Sequence, residues 1–254
     1  DDRGRACYKV SGPKVKEWHV NEFLYLPDEV ERGLELTVQA LDGDTAKLHV
    51  IRDYRAGKTP VWGIHAKNRE QNFALNLLLD PDVDFVSLLG AAGTGKTLLA
   101  LAAGLAQTLD EPRYREIIMT RVTVPLGDDI GFLPGTEEEK MTPWMGALMD
   151  NLEVLTQTSN AGDWERAATN DLLSKRIKIR SLNFMRGRTF LNRYIIIDEA
   201  QNLTSKQMKA LITRCGPGSK IVALGNLTQI DTPYLSETTS GLTYVVDRFR
   251  GWPH

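Results

Sequence analysis

The segment that most constrains the fold is residues 90–97, which read GAAGTGKT. It matches the pattern G-x-x-x-x-G-K-[ST] at every fixed position, with an apolar run at residues 85–89 before it and a helical pattern at 98–109 after it. In such a loop the backbone N–H groups surround the phosphates of a nucleotide, and the following helix points its positive end at them. The segment therefore predicts a nucleotide-binding loop between a strand and a helix.

Two side chains of this loop have predicted roles in the chemistry. Lys96 is expected to reach the β- and γ-phosphates of ATP, and the hydroxyl of Thr97 is expected to bind Mg²⁺. A glycine-rich turn with a chance lysine is the alternative, and the flanking strand and helix argue against it. The residues of this segment that are predicted to bind ATP are Gly90, Ala91, Ala92, Gly93, Thr94, Gly95, Lys96, Thr97 and Leu98.

A pair of carboxylates follows a second apolar run, at residues 194–197. A buried strand would deliver Asp198 to its carboxyl end, where it can hold Mg²⁺ through water. Glu199, the next residue, can orient and polarise a water for attack on the γ-phosphorus. The alternative is a solvated helix start that the helix dipole favours. Together with the loop, the pair predicts hydrolysis of a nucleoside triphosphate with Mg²⁺ as the cofactor.

Three amide side chains are candidates for further contacts with the nucleotide. Asn226 and Gln229 follow an apolar run at residues 221–224, and adjacent strand ends flank the same crevice, so both are expected near the γ-phosphate. A turn stabilised by side-chain amides is the alternative. Gln71 lies upstream of the loop and carries an amide that can read N6 and N7 of adenine, although an exposed surface glutamine is the ordinary interpretation.

The hydrophobic pattern predicts an α/β fold with a mainly parallel sheet flanked by helices. From about residue 66 onward, apolar runs alternate with helical patterns, and the run at 194–197 is typical of a strand buried on both faces. Residues 177–182 alternate and predict an edge strand. Thr204 and Gln207 fit a capping box at the start of a helix. Another helix is predicted from residue 142, with an apolar face made by Trp144, Leu148, Leu152 and Leu155.

Residues 1–60 differ in pattern from the rest of the chain. Two stretches of alternating apolar and polar residues flank Asp42 and Gly43, which predicts a β-hairpin. We therefore predict two units, a linker with a small β-rich N-terminal appendage at 1–60 and the nucleotide-binding domain at 61–254. Neither end of the chain looks like a natural terminus, so we expect a fragment.

The net charge of −2, from 31 basic and 33 acidic residues, shows no global excess that would attract nucleic acid. Locally, however, no acidic residue lies between Leu172 and Arg193. The stretch suits phosphate contact and base stacking on single-stranded nucleic acid, with Phe184 and Phe190 among its basic residues; a solvated basic strand and hairpin is the alternative. The basic residues are Lys175, Arg176, Lys178, Arg180, Arg186, Arg188 and Arg193. The predicted contacts with the single strand, which the family resemblance described below implies to be RNA, are Lys178, Arg180, Arg186 and Arg188.

The chain carries two lone cysteines and four histidines without metal-ligand spacing. Isolated cysteines of this kind are typical of reduced thiols in a cytoplasmic protein. No stretch of apolar residues is long enough and free enough of charge to span a membrane.

Four segments make the chain similar to a known family, the PhoH-family ATPases. Three of them are 119–141, which reads MTRVTVPLGDDIGFLPGTEEEKM, 185–190, which reads MRGRTF, and 198–202, which reads DEAQN. The fourth, GNLTQIDTPYL at 225–235, resembles the longer subfamily, in which a PIN nuclease domain precedes the PhoH domain. The resemblance covers roughly 61–254 and implies that residues 1–60 connect to a nuclease domain absent from this chain.

The resemblance implies a nucleotide site of the RecA-like, superfamily 1 helicase type. It makes Gln71 an adenine-reading residue and equates Gln229 with the glutamine of a Gly-Asp-x-x-Gln motif that contacts the γ-phosphate, with Asn226 in place of the aspartate. It also implies an ATP-dependent RNA helicase or translocase coupled to a ribonuclease. An ATP-dependent ring-forming switch or scaffold without unwinding activity is the alternative. A small-molecule kinase is less favoured, because Glu199 beside Asp198 favours water as the acceptor.

A helicase of that type closes its site with arginines from a second ATPase-like domain. Too few residues follow Asp231 to build one. We therefore expect a homo-oligomer in the form of a hexameric ring, in which a neighbouring subunit supplies the arginine. Arg121, at a strand end, and Arg214, after a helix, are the candidate phosphate-contacting arginines within the chain.

Overall fold

The fold is described from a computed structural model of the chain. The described residues are 4–26, 33–121, 146, 150–155, 173, 175–180, 182 and 187–252.

The N-terminal region forms a four-stranded antiparallel sheet, in the order β1-β4-β3-β2. Its strands are β1 (Cys7–Ser11), β2 (Phe23–Tyr25), β3 (Glu35–Asp42) and β4 (Thr45–Val50). The predicted hairpin is confirmed: β3 and β4 pair from Leu36 with Val50 to Asp42 with Thr45, and Gly43 in the turn has a positive φ of 60°. A short 3-10 helix, Pro13–Glu17, places Val15 against the buried face of this sheet.

The second sheet has five strands in the order β5-β9-β8-β6-β7, and each of its pairings is parallel. Its strands are β5 (Phe85–Leu89), β6 (Glu116–Arg121), β7 (Ile177–Ile179), β8 (Arg193–Asp198) and β9 (Lys220–Gly225). The flanking helices are α1 (Arg69–Leu79), α2 (Lys96–Leu105), α3 (Ser205–Ile212) and α4 (Gly241–Arg248). The predicted α/β class with a mainly parallel sheet is confirmed, and β7 is the edge strand that its alternation indicated.

Helices cover both faces of the parallel sheet. Ile196 of β8 packs on the side of α1 and α2, whereas Ile195 and Ile197 pack on the side of α3 and α4. Successive side chains of a strand point to opposite faces, so β8 is buried on both sides, as its unbroken apolar run predicted. Strands of this kind hold their carboxyl ends rigidly at one edge of the sheet.

A local signal in the sequence predicted the start of α3. The capping box is present at α3, where Thr204 accepts from the backbone N–H of Gln207 and Gln207 accepts from that of Thr204.

The helix predicted from residue 142 falls partly outside the described residues. Trp144 and Leu148 are among the residues that the structure does not describe. Residues 150–155 are helical, and Leu152 and Leu155 are buried in the core on the α1 and α2 side.

A buried carboxylate joins the N-terminal sheet to α1. Glu35 of β3 receives two hydrogen bonds from the Arg55 guanidinium, at 3.0 and 3.1 Å. It also receives one from Arg69 Nε at 3.1 Å and one from Asn72 Nδ2 at 3.3 Å. A buried charge needs such partners to offset its desolvation. The group therefore fixes β3 against the helix that precedes the phosphate-binding loop.

Lys220, at the start of β9, is a buried cation that closes the C-terminal end of α1. Its Nζ donates to the carbonyl oxygens of Leu77, Leu78 and Asp80, at 3.1, 2.9 and 2.7 Å. Helix-end carbonyls are otherwise unpaired. Burial lowers the pKa of Lys220 to about 7, with Arg113 acting in the same direction and Asp80, Asp82 and Asp84 opposing it.

This lowered pKa predicts a stability that depends on pH. The folded-state pKa of Lys220 lies below the ordinary value of 10.5, so between these values the unfolded chain binds more protons than the folded one. The destabilisation of the folded state by the buried Lys220 is therefore largest below pH 7 and decreases as the pH rises toward 10.5. The free energy of unfolding should rise across that window, by up to about 1.4 kcal/mol per pH unit from this group.

Denaturant unfolding at several pH values between these limits measures the effect. In Lys220→Met the contribution to the slope should disappear, whereas Lys206→Met, at an exposed position of α3, should keep the wild-type slope. Equal slopes in all three proteins would contradict the assignment.

Candidate nucleotide site

The carboxyl ends of β5, β6, β8 and β9 surround a cavity of about 420 Å³, the nucleotide cavity. Its lining residues are Ala92, Gly93, Thr94, Gly95, Lys96, Thr97, Leu98, Arg121, Asn151, Asp198, Glu199, Gly225, Asn226 and Gln229. The structure thus brings the residues of the loop, the carboxylate pair and Gln229 around one space. The position of β9 between β5 and β8 explains this, because it places the 226–229 loop between the phosphate-binding loop and Glu199.

The phosphate-binding loop has the backbone that its glycines permit. Gly93 and Gly95 have φ values of 77° and 82°, in the left-handed region that residues with a Cβ seldom adopt. Gly95 is the N-cap of α2, so the amino end of this helix faces the nucleotide cavity. Thr94 closes the loop by donating from its hydroxyl to the carbonyl of Ala91 at 2.8 Å. A loop with this backbone at a helix N-terminus can present a cradle of N–H donors to a phosphate.

The amino group of Lys96 lies within the curve of this loop. Nζ donates to the carbonyl oxygens of Gly90 and Ala91, at 2.7 and 2.8 Å. Partial burial lowers the pKa of Lys96, while the carboxylates of Glu199 and Asp198 oppose that shift. The two carboxylates therefore lie close enough to Lys96 to interact with its charge. A bound phosphate would add further negative charge beside the ammonium.

Glu199 has an unusual backbone for its residue type. Its φ of 54° and ψ of 38° lie in the left-handed region, where a non-glycine residue costs about 1 kcal/mol or more. The chain there leaves β8 and enters a 3-10 helix, Ala200–Asn202. Strained backbone of this kind concentrates at functional sites, which agrees with the role predicted for the carboxylate.

Two side chains hold the Glu199 carboxylate. Gln201 Nε2 donates to Oε2 at 2.6 Å, and Arg121 Nη2 lies 3.4 Å from Oε1. Arg121, a candidate phosphate-contacting arginine, therefore lies in the nucleotide cavity of its own chain. Sequence reasoning assigned no role to Gln201 or to Asn151, which lines the cavity from the helical residues 150–155. The sequence feature that could have indicated Gln201 is its position close after the carboxylate pair.

The two amides of the 226–229 loop behave differently. Asn226 Oδ1 accepts from the N–H and the hydroxyl of Thr228, at 3.2 and 2.9 Å, so this amide stabilises the turn. That is the alternative interpretation of the segment. Gln229 is exposed. Its backbone carbonyl, and not its side-chain amide, accepts the hydrogen bond from Gln201 Nε2 at 2.8 Å. Its contact with the γ-phosphate stays a prediction.

Gln71 lies beside the phosphate-binding loop, near the start of α1. Its Nε2 donates to the carbonyl of Thr94 at 3.1 Å, and its Oε1 accepts from the N–H of Lys67 at 2.7 Å. Asn68 caps the helix by accepting from the N–H of Gln71. Both ends of the amide are bonded to backbone, and recognition of adenine by this residue stays a prediction.

Arg214 lies away from the nucleotide cavity. It follows α3, and its carbonyl accepts from the N–H of Phe190, just before the amino end of β8. The cavity is at the opposite, carboxyl ends of the strands. A role for Arg214 toward the nucleotide of a neighbouring subunit stays a prediction.

The basic stretch lies along the β7 edge and the segment that leads into β8. Lys178 is in β7, Arg180 follows it and donates its N–H to Met119, Arg188 is exposed, and Arg186 lies outside the described residues. Other members of the stretch hold the fold together. Arg193 pairs with Glu116 at 2.8 Å, and Arg176 donates to the carbonyl of Arg115 at 2.7 Å.

The expectation that Phe190 stacks on bases is wrong. The side chain is only 7% exposed and packs in the core on the α3 and α4 side. An aromatic ring in this position has no face available to a base. Phe184, the other aromatic of the stretch, lies outside the described residues.

The described part of the chain contains no cluster of three metal-ligating His, Cys, Asp or Glu residues. None of its helices is both long enough and apolar enough to cross a membrane. Cys7 and Cys215 are not joined in a disulfide. Burial raises the pKa of Cys215 to about 12, so this thiol is unreactive at neutral pH.

Comparison with known proteins gives matches over most of the chain. The family model described as PhoH-like protein matches residues 63–253. The chain is 44% identical to Protein PhoH2 of Bacillus subtilis (strain 168), over 98% of this chain and 55% of that protein. It is 36% identical to Protein PhoH2 of Mycolicibacterium smegmatis, over 82% of this chain and 45% of that protein. The chain therefore spans about half the length of these relatives.

Proposed function

Because this chain belongs to the PhoH family of P-loop ATPases, we propose that it binds ATP with Mg²⁺ in the nucleotide cavity and hydrolyses the γ-phosphate. The observation that carries this proposal is the convergence of Lys96, Thr97, Asp198 and Glu199 on one cavity. The first turn of α2 supplies Lys96 and Thr97, and the end of β8, distant in the sequence, supplies Asp198 and Glu199. A phosphate loop that served binding alone would not require the carboxylate next to Asp198.

The donor set in this cavity fits Mg²⁺. The hydroxyl of Thr97 and the carboxylate of Asp198 both line it, and oxygen ligands of these types are those that Mg²⁺ accepts. When bound, the ion would neutralise charge on the β- and γ-phosphate oxygens. Thr97 and Asp198 would hold it, the latter through water.

The remaining residues bind and orient the reactants. The loop N–H groups and the Lys96 ammonium would hold the phosphates, exchanging the carbonyl contacts of Nζ for phosphate oxygens. Glu199 would accept a hydrogen bond from the attacking water and polarise it toward the γ-phosphorus. Gln229 would contact the γ-phosphate from the neighbouring loop.

The proposed partner is single-stranded RNA, and the proposed activity is that of a helicase or translocase of the superfamily 1 type. The strand pairing supports a connection between the two sites. Lys178 of the basic edge strand pairs with Ile118 of β6, and β6 ends at Arg121, which contacts Glu199. A shift of the edge strand on binding RNA would therefore reach the carboxylate through one continuous β-ladder.

The proposal includes a homo-oligomeric, hexameric ring, in which Arg214 or another arginine of a neighbouring subunit approaches the γ-phosphate. In the whole protein, the motor would pass RNA to the nuclease domain that the resemblance implies. A ring-forming switch without unwinding activity is the alternative, and it predicts ATP binding and assembly without stimulation by RNA. The mass of the protein in solution tests the assembly.

We expect single-stranded RNA to increase ATP turnover several-fold at low salt.

Replacing both Arg180 and Arg188 by glutamine should weaken RNA binding. Because two phosphate contacts are removed, the slope of log K against log salt should become shallower by about 1.4. RNA titrations at four or more salt concentrations measure this slope.

A matched pair of lysines controls for net charge. Lys206 and Lys209 are exposed on α3, on another face of the domain, and their double replacement by glutamine should leave the slope unchanged. If Arg180 and Arg188 can be replaced without a change in slope, the basic stretch is only a solvated surface. If RNA does not stimulate the wild-type protein at low salt, the motor proposal fails and the switch is favoured.

A further inference from the structure

Gln201 is a fully buried amide that joins the end of β8 to the loop after β9. Its Nε2 donates to Glu199 Oε2 at 2.6 Å and to the carbonyl of Gln229 at 2.8 Å. Its Oε1 accepts from the N–H of Asn226 at 3.2 Å. Both hydrogens of the amide and its carbonyl oxygen are therefore bonded. All three partners belong to segments that line the nucleotide cavity.

This pattern allows only one orientation of the amide. Exchanging its nitrogen and oxygen would place an oxygen against a carboxylate and a carbonyl, which are both acceptors, and an NH₂ group against an N–H donor. The assignment of Nε2 as the donor to Glu199 therefore follows from the partners.

The surroundings of Gln201 hold its backbone and side chain in place. Ser240 donates from its hydroxyl to the Gln201 carbonyl at 2.8 Å. Gly225 approaches so closely that a Cβ there would lie 3.0 Å from Gln201 Oε1 and would collide with Leu242. A Cβ at position 225 would therefore crowd the Gln201 amide and require Leu242 to move.

The Glu199 carboxylate has different environments at its two oxygens. Oε2 receives the short hydrogen bond from Gln201, whereas Oε1 has the longer contact of 3.4 Å with Arg121. An ionised carboxylate has about four acceptor sites, so the amide occupies one and leaves others for a water. The amide fixes the plane of the carboxylate without neutralising it.

We propose that Gln201 is a positioning residue, which fixes the Glu199 carboxylate and the 226–229 loop as one unit around the γ-phosphate. This inference rests on the proposed hydrolysis of ATP. The NH₂ group of Gln201 bonds both the carboxylate of Glu199, which would polarise water, and the backbone carbonyl of Gln229, which would contact phosphate. The positions of these two residues are therefore coupled through Gln201.

The test replaces Gln201 with methionine, which has a similar volume and no donor. In the full chain, we expect kcat for ATP to fall about tenfold or more, while the Kd for MgADP stays within about twofold of wild type. The cycle with Glu199→Gln separates positioning from packing. Because Gln201 acts through Glu199, Gln201→Met should produce little further loss of kcat in the Glu199→Gln background.

Asn202 supplies the matched control, because it is a buried amide in the same 3-10 helix whose side chain bonds other residues than Glu199. Its backbone N–H donates to the Glu199 carbonyl at 3.0 Å, and a side-chain substitution retains that bond. Its Oδ1 accepts from the N–H groups of Asp231 and Thr232, at 2.8 and 3.3 Å. Asn202→Leu should lower the melting temperature with much less effect on kcat. If kcat falls equally in Asn202→Leu and Gln201→Met, or if Gln201→Met has the wild-type kcat, the inference is wrong.

Gln201→Glu keeps the shape of the side chain and the acceptor for Asn226, so it gives a second test should the methionine variant not fold. It places two carboxylates at hydrogen-bond distance, where both cannot be ionised. The pH profile of kcat should then show an ionisation that the wild type lacks. A wild-type kcat and pH profile would overturn the inference. If the wild-type chain does not hydrolyse ATP, the proposed function fails and the inference fails with it.

Discussion

Lys96→Ala should lose tight binding of ATP, with Kd rising about 100-fold or more. The ammonium lies in the curve of the phosphate-binding loop, where its hydrogen bonds to Gly90 and Ala91 place it for the β- and γ-phosphates. A charge-assisted hydrogen bond contributes about 1.5–3 kcal/mol, and each 1.4 kcal/mol is a factor of ten in affinity. Loss of the cation also leaves the phosphates facing Asp198 and Glu199 without compensation. Calorimetric titration with ATP and Mg²⁺ measures the change.

The fold should tolerate this substitution, because the lysine is only partly buried and burial already lowers its pKa. We expect a melting temperature close to that of the wild type. Lys67→Ala is the matched control, since Lys67 is exposed just before α1 and offers only its backbone N–H to Gln71. A Kd for ATP in Lys96→Ala within about threefold of the wild-type value would contradict the assignment of the loop.

The parts of the fold that could be predicted from sequence depend on neighbouring residues. The phosphate-binding loop is a contiguous pattern whose glycines, lysine and threonine all serve one ligand. The capping box at Thr204 is likewise local, and the run of β-branched residues in β8 indicated burial on both faces. Signals of this kind are complete within a few residues.

The parts that could not be predicted depend on contacts between distant segments. Arg193 appeared as part of the basic stretch suited to phosphate contact, but its partner Glu116 lies on another strand and is 77 residues away in sequence. Phe190 is buried because α3 and α4 cover it. No local pattern specifies that β9 lies between β5 and β8, although this order brings the 226–229 loop to the site.

The same reason explains why sequence reasoning found Glu199 and missed Gln201. A carboxylate after a buried strand has a known chemical use beside a phosphate loop, so its type and position are informative. An amide two residues later resembles an ordinary loop residue. Its burial comes from Gly225, Ser240 and Leu242, which approach from other elements. The left-handed backbone of Glu199 is also a property of the packed turn.

Glu199→Gln should separate the binding of ATP from its hydrolysis. The substitution keeps the size of the side chain but removes the negative charge that polarises water. We expect kcat to fall about 100-fold or more, because general base catalysis contributes about 10² to 10⁴. The Kd for ATP should change little, because Lys96, Thr97 and Asp198 are retained. Single-turnover measurements with excess protein separate the chemical step from product release.

The control for this variant is Glu116→Gln. Glu116 is also a partly buried glutamate that pairs with an arginine, Arg193, but it lies at the amino end of β6, away from the nucleotide cavity. Its replacement should lower stability and spare kcat. If Glu199→Gln keeps a kcat within about threefold of wild type, another group activates the water.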